Sequence, residues 1–105
     1  MTRIYAQSPA LAARTLEAIQ LEAMSARIEA VADLQSLAEL VARAPGLPDA
    51  LRALVLVQQQ VHSVRRACVA EARAVGYADH EIAAVLRLNL NDFRSRFPEE
   101  NERTR

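Results

Sequence analysis

The chain has no Trp, no Lys, one Cys and two Gly, and each scarcity removes a class of protein. A single cysteine, Cys68, rules out an internal disulfide and any zinc site built from several cysteines. Cys68 itself falls on an apolar helical stripe, where a cysteine packs as a small hydrophobe. With glycine only at 46 and 76, there is no Gly-rich loop to cradle a phosphate. No apolar run approaches the roughly 18 residues that would cross a membrane, and the opening MTRIYAQSPA lacks the apolar centre of a signal peptide. The expectation is a soluble, cytoplasmic protein with no membrane partner. No His/carboxylate pair at helical spacing and no Ser/His/Asp arrangement stands out, so neither an enzyme nor a cofactor is expected. Asp79, His80 and Glu81 are consecutive, and consecutive helical residues diverge, so no metal site is expected either.

What the chain does contain favours helix. Ala, Leu and Val supply most of its 51% apolar content, and aromatics are only 4%. Gly and Pro are so sparse that the elements between them must be long. The fold class expected is therefore all-α: a long N-terminal helix, a second long helix and a short helical pair at the C-terminus. All thirteen cations are Arg and they balance thirteen acids, which argues against an indiscriminate, strongly basic nucleic-acid binder. The balance is uneven along the chain. Residues 62–97 hold six Arg against four acids, whereas the segment from Pro98 holds two Arg against three Glu. Arg without Lys, in an Ala-rich chain, points to a GC-rich bacterial or phage genome.

Residues 1–8 read as an N-terminal tail. Ser8-Pro9 reads as an N-cap followed by a first-turn proline, opening a helix over 9–44. Leu16, Ile19, Ala23, Ala30, Leu34, Leu37 and Val41 lie along one stripe of it, and Leu21, Met24, Ile28 and Val31 widen that stripe. Such a helix is about 50 Å long at 1.5 Å per residue, more than the following 61 residues are expected to cover. The helix could fold back on itself, but pairing of two protomers through Leu16, Ile19, Leu34, Leu37 and Val41 is the favoured expectation. The linker 45–48, Pro45-Gly46-Leu47-Pro48, stops the helix. The next helix runs from about Pro48 to Val75, with a coiled-coil seam expected at Leu54, Val57, Val61, Val64, Cys68, Ala72 and Val75. Gly76 ends it. Residues 49–97 form the expected helical domain, and 98–105 have no apolar residue and read as a flexible tail.

Residues 79–97 carry the most particular signal. A short helix from Asp79 to Leu86 or Arg87 turns Ile82, Ala83 and Leu86 inward, and Ala83 is small enough to let two helices cross closely. Arg87 and Leu88 form a turn, with Leu88 beneath it. Asn89 is a favoured N-cap that Asp92 can answer, and Leu90, Phe93 and Phe97 are the inner stripe of the last helix. Asn91, Arg94 and Ser95 are left on its outer face, with Arg96 at the edge. Arg can bridge guanine O6 and N7, and Asn can pair with adenine N6 and N7. Arg65, Arg66 and Arg73 on the preceding helix are placed to hold phosphates. Each has an ordinary alternative as a solvated charge with its stem on apolar surface.

The run Glu81-Ile82-Ala83-Ala84-Val85-Leu86-Arg87-Leu88-Asn89, followed by Phe93, resembles the helix-turn-helix of sigma-factor region four and of response-regulator output domains, closest to small actinobacterial and phage versions. The resemblance covers residues 66–97. It implies a transcriptional regulator that binds double-stranded DNA through residues 91, 94, 95 and 96, as a homodimer. Three positions depart from the family pattern. Arg87 stands where those families use Gly, Ala78 where they place a capping Ser or Thr, and Asp92 sets a negative charge near the DNA end of the last helix. The alternative is a helical interaction module that does not bind DNA, an inhibitor, adaptor or sigma-domain mimic whose partner is RNA polymerase or a sigma factor. A structural part of a phage particle is a third possibility.

Overall fold

The computed structural model describes residues 9–99, so the tail 1–8, the Ser8 cap and the segment 100–105 lie outside the described residues. Four helices follow in order: α1 (Pro9–Arg43), α2 (Leu47–Ala74), α3 (Asp79–Val85) and α4 (Leu90–Arg96). Among the described residues there is no strand, and the all-α class is as expected. No described helix is long and apolar enough to cross a membrane.

α1 and α2 form an antiparallel hairpin. Pro45 disfavours helix at Ala44, Gly46 is fully extended at φ −157°, and Pro48 sits in the first turn of α2, where its missing N–H costs nothing. The half-buried positions of α1 recur at 20, 23, 27, 30, 34, 37 and 41, with Val31 half-buried beside the row. On α2 the matching row runs through 50, 53, 57, 60, 64, 67, 71 and 74, with Ala53 buried and Ser63, Ala72 and Arg73 half-buried beside the row. Alternating steps of three and four on both helices are a coiled-coil seam. α2 thus returns along α1 and packs against this row, while Leu16, Ile19, Leu21 and Ile28 of α1 stay exposed. Leu34, Leu37 and Val41, expected to pair protomers, are half-buried on the face α1 turns to α2. Leu16 lies on the same stripe one turn beyond its half-buried part and is 50% exposed.

The seam on α2 is also rotated from the expected one. Val57 and Val64 are shared, but Leu54, Val61, Cys68 and Val75 are exposed, and Ala50, Ala53, Gln60, Ala67, Glu71 and Ala74 take the inner positions. Small side chains let the two backbones approach closely. Polar groups at seam positions then find partners across it. Gln20 Nε2 donates to the Ala74 carbonyl at 3.2 Å, and Gln60 Nε2 to the Ala30 carbonyl at 3.0 Å. The Arg27 guanidinium grips the Glu71 carboxylate through both Nε and Nη2, and this contact raises the Arg27 pKa. Paired polar groups at such positions hold a register that apolar packing alone leaves free to slip.

Apart from Ala53 in the hairpin, the buried residues cluster where α3 and α4 fold against the C-terminal half of α2. Val69, Ile82, Ala83 and Phe93 are buried there, with Ala72, Leu86, Leu88, Leu90 and Phe97 packed around them. The whole is elongated, with a radius of gyration of 18.2 Å. A compact chain of this length would have about 13 Å.

Candidate nucleic-acid interface

Two helix endings place α3 and α4. At the end of α2, Tyr77 N–H donates to the Ala72 carbonyl and Gly76 N–H to that of Arg73, with Gly76 at φ 102°. This is the Schellman arrangement, which needs a left-handed residue. At the end of α3 the same pattern recurs: Leu88 N–H donates to the Ala83 carbonyl and Arg87 N–H to that of Ala84, with Arg87 at φ 60°. The turn therefore keeps the geometry that glycine favours, although Arg fills the position. Leu88 packs into the core beneath it.

Ala78 caps α3 without a side-chain acceptor, and only half of a capping box is built: Ala78 N–H donates to Glu81 Oε1 at 2.9 Å. α4 has the fuller cap. Asp92 N–H donates to Asn89 Oδ1 at 2.8 Å, and Asn89 Nδ2 donates back to Asp92 Oδ2 at 3.0 Å. The Asp92 carboxylate is thus tied to the start of α4, where the helix dipole favours it. Fully buried Phe93 packs its ring 5.4 Å from that of Phe97 and fixes which face of α4 is outward. Asn91, Arg94, Ser95 and Arg96 are all exposed.

Arg73 ties the unit together. Its guanidinium lies 5.2 Å over the Phe93 ring, donates from Nε to Asp79 Oδ1 at 3.0 Å, and from Nη2 to the Phe97 carbonyl at 2.6 Å. One side chain on α2 thereby holds the first turn of α3 and the last turn of α4. That commitment leaves Arg73 little freedom for the phosphate role expected of it. Asp79, whose side chain is only 14% exposed, also faces Arg94, with Nε at 3.7 Å from Oδ2. Arg94 remains 61% exposed, so it is loosely tethered rather than buried.

A solvent-open cleft of about 1170 Å³ lies between α2 and the α3–α4 pair. Arg66, Arg73, Arg94 and Arg96 line it against Asp79 and Glu99, a surplus of two positive charges, with His80 and Tyr77 beside them. The fold brings these four of the seven expected contact residues together. Asn91 and Ser95 are on α4 outside the cleft lining, and Arg65 on α2 is also outside it. Ile19, expected in a dimer seam, reaches the rim of the cleft from α1 and is 50% exposed. The linking role of Asp79 was not read from sequence. Its one signal was the short, Gly-broken step from Arg73 to a first-turn acid. Cys68, expected to pack in the seam, is exposed. Among the described residues no cluster of His, Cys, Asp or Glu is suited to a metal. Comparison with family models, with curated proteins and with solved structures found no match to this chain.

Proposed function

We propose that the protein is a small DNA-binding transcriptional regulator whose α3, turn and α4 act as a helix-turn-helix. The observation that carries this reading is the convergence of Arg66, Arg94 and Arg96 about one basic cleft beside the exposed face of α4. Arg94 and Asn91 would read base edges, Ser95 would sit beside them, and Arg66 and Arg96 would hold phosphates. Arg65 would contact the backbone at the margin. A short core of Val69, Ile82, Ala83 and Phe93 holds α4 on its outer side, and the left-handed turn at Arg87 supports the same reading. Acting as a dimer, two copies would present two α4 helices to successive major grooves about 34 Å apart.

A fluorescence-anisotropy titration tests it, using the DNA upstream of the protein's own gene and a random duplex, each at two salt concentrations. Tighter binding to the upstream DNA, weakening as salt rises, is the expected result. No binding to either duplex at low salt sinks the reading. The rival is a protein-interaction module docking on RNA polymerase or a sigma factor. Zero net charge and the ion pair that draws Arg94 toward Asp79 favour it. In that case the same titration is blank and a polymerase subunit binds instead.

A further inference from the structure

The α1–α2 hairpin has two sides of opposite character. In an antiparallel pair of right-handed helices, residues one step after a seam position on either helix project to the same side, and residues one step before it project to the other. The cavities mark the second side: Leu40 and Leu56, each preceding a seam residue, line one together, and Ile19 shares the basic cleft with Arg66 and Arg73. Of the fifteen residues that precede a seam position, seven are charged. Of the fifteen that follow one, only Arg65 is. The following side instead presents Leu21, Met24 and Ile28 from α1 and Leu51, Leu54 and Val61 from α2, between 36% and 62% exposed.

We infer that this side is covered by the same side of a second copy, giving a four-helix bundle. The inference deepens the dimer in the proposed function but does not depend on DNA binding. From Leu51 to Val75 the face runs about 36 Å at 1.5 Å per residue, and two packed helices are about 20 Å across. The product, about 700 Å², is close to the roughly 800 Å² per partner of a stable interface. A two-fold contact sets the same patch of both copies together, and a face with one charge per copy meets itself with little repulsion. An acidic or basic partner would find nothing there to pair with. The basic clefts, on the opposite side of each hairpin, stay open in such a dimer.

The test is sedimentation velocity on the full chain without DNA, from about 1 to about 100 µM, alongside the reaction rate of Cys68 with a chromogenic disulfide reagent. Cys68 follows a seam position, so it belongs to the covered face and reports on it. Wild type and Leu40→Glu, altered on the other side, should sediment as dimers with Cys68 reacting at least about tenfold slower than in the dilute monomer. Ile28→Glu and Val61→Glu should be monomers with undiminished helical circular dichroism and a fast thiol. A wild-type monomer at the highest concentration overturns the inference. So does a dimer whose mass and thiol rate neither variant changes. A monomer that still binds DNA would remove this interface and leave the functional reading in place.

Discussion

Gly76 and Arg87 occupy the same position in two successive helix endings: each is the left-handed residue that closes a Schellman motif, one after α2 and one after α3. The Cβ that Gly76 lacks would meet nothing within 4 Å, so a substitution there costs backbone conformation alone. Gly76→Ala is expected to destabilise by about 1 kcal/mol. Arg87 already bears that strain, so Arg87→Gly is expected to gain about 0.5–1 kcal/mol, reduced by the greater entropy of glycine in the unfolded chain. Urea midpoints at one fixed protein concentration measure both. An Arg87→Gly variant less stable than wild type would mean that the Arg side chain makes a contact worth more than the strain.

Arg73 and Asp79 fix the α3–α4 pair to α2. Arg73→Ala removes an ion pair, a bond to the Phe97 carbonyl and a cation–π contact together, and is expected to cost about 2–3 kcal/mol. Arg73→Lys keeps the charge but not the forked geometry, so it should recover less than half of that loss. Urea denaturation is the readout, and full recovery by Lys would show that only the charge matters.

Much of the helical architecture was legible because proline and glycine are rare enough to be unambiguous. Pro45-Gly46-Leu47-Pro48 and Gly76 mark the observed breaks, and Asn89 with Asp92 forms the expected cap. The α3–α4 core was legible for the same reason, since Ile82, Ala83 and Phe93 are the spaced apolar residues of a short segment. The hairpin seam was not. Hydrophobicity selects Leu54, Val61 and Val75 for the inside of α2, yet Ala53, Gln60 and Ala74, one position earlier, take that place. Close backbone approach, the two Gln–carbonyl bonds and the Arg27–Glu71 pair all act between residues about 30 to 54 apart, which periodicity on one helix cannot register. The basic cleft was half legible. Its arginines stand out on the outer helix faces, but Asp79, which ties up one and tethers another, acts through a fold-back of helices that sequence spacing does not describe.

The Arg27–Glu71 pair should set the register of the hairpin rather than merely add attraction. Glu71→Arg and Arg27→Glu each oppose like charges across the seam and should lower the melting temperature. The double exchange restores an opposite pair and should recover most of the loss. Thermal melts of all four proteins form a double-mutant cycle. Additive losses in the double variant would show that the two residues act separately.

Asp79 competes for Arg94, and this makes a prediction about DNA binding that the alternative reading does not share. Asp79→Asn keeps the shape of the side chain but removes the charge that holds Arg94 at 3.7 Å. The protein should lose about 1–2 kcal/mol of stability, because Arg73 then lacks its ionic partner. Its affinity for the upstream DNA should nevertheless rise, with a steeper salt dependence by up to one phosphate equivalent. Arg94→Ala should act in the opposite sense, lowering specific binding by about 1–3 kcal/mol while leaving the urea midpoint nearly unchanged, since Arg94 is mostly exposed. Anisotropy titrations of both variants at matched salt provide the comparison. If Asp79→Asn and Arg94→Ala bind the upstream DNA as wild type does, α4 is not the reading helix, and the cleft must serve a partner other than DNA.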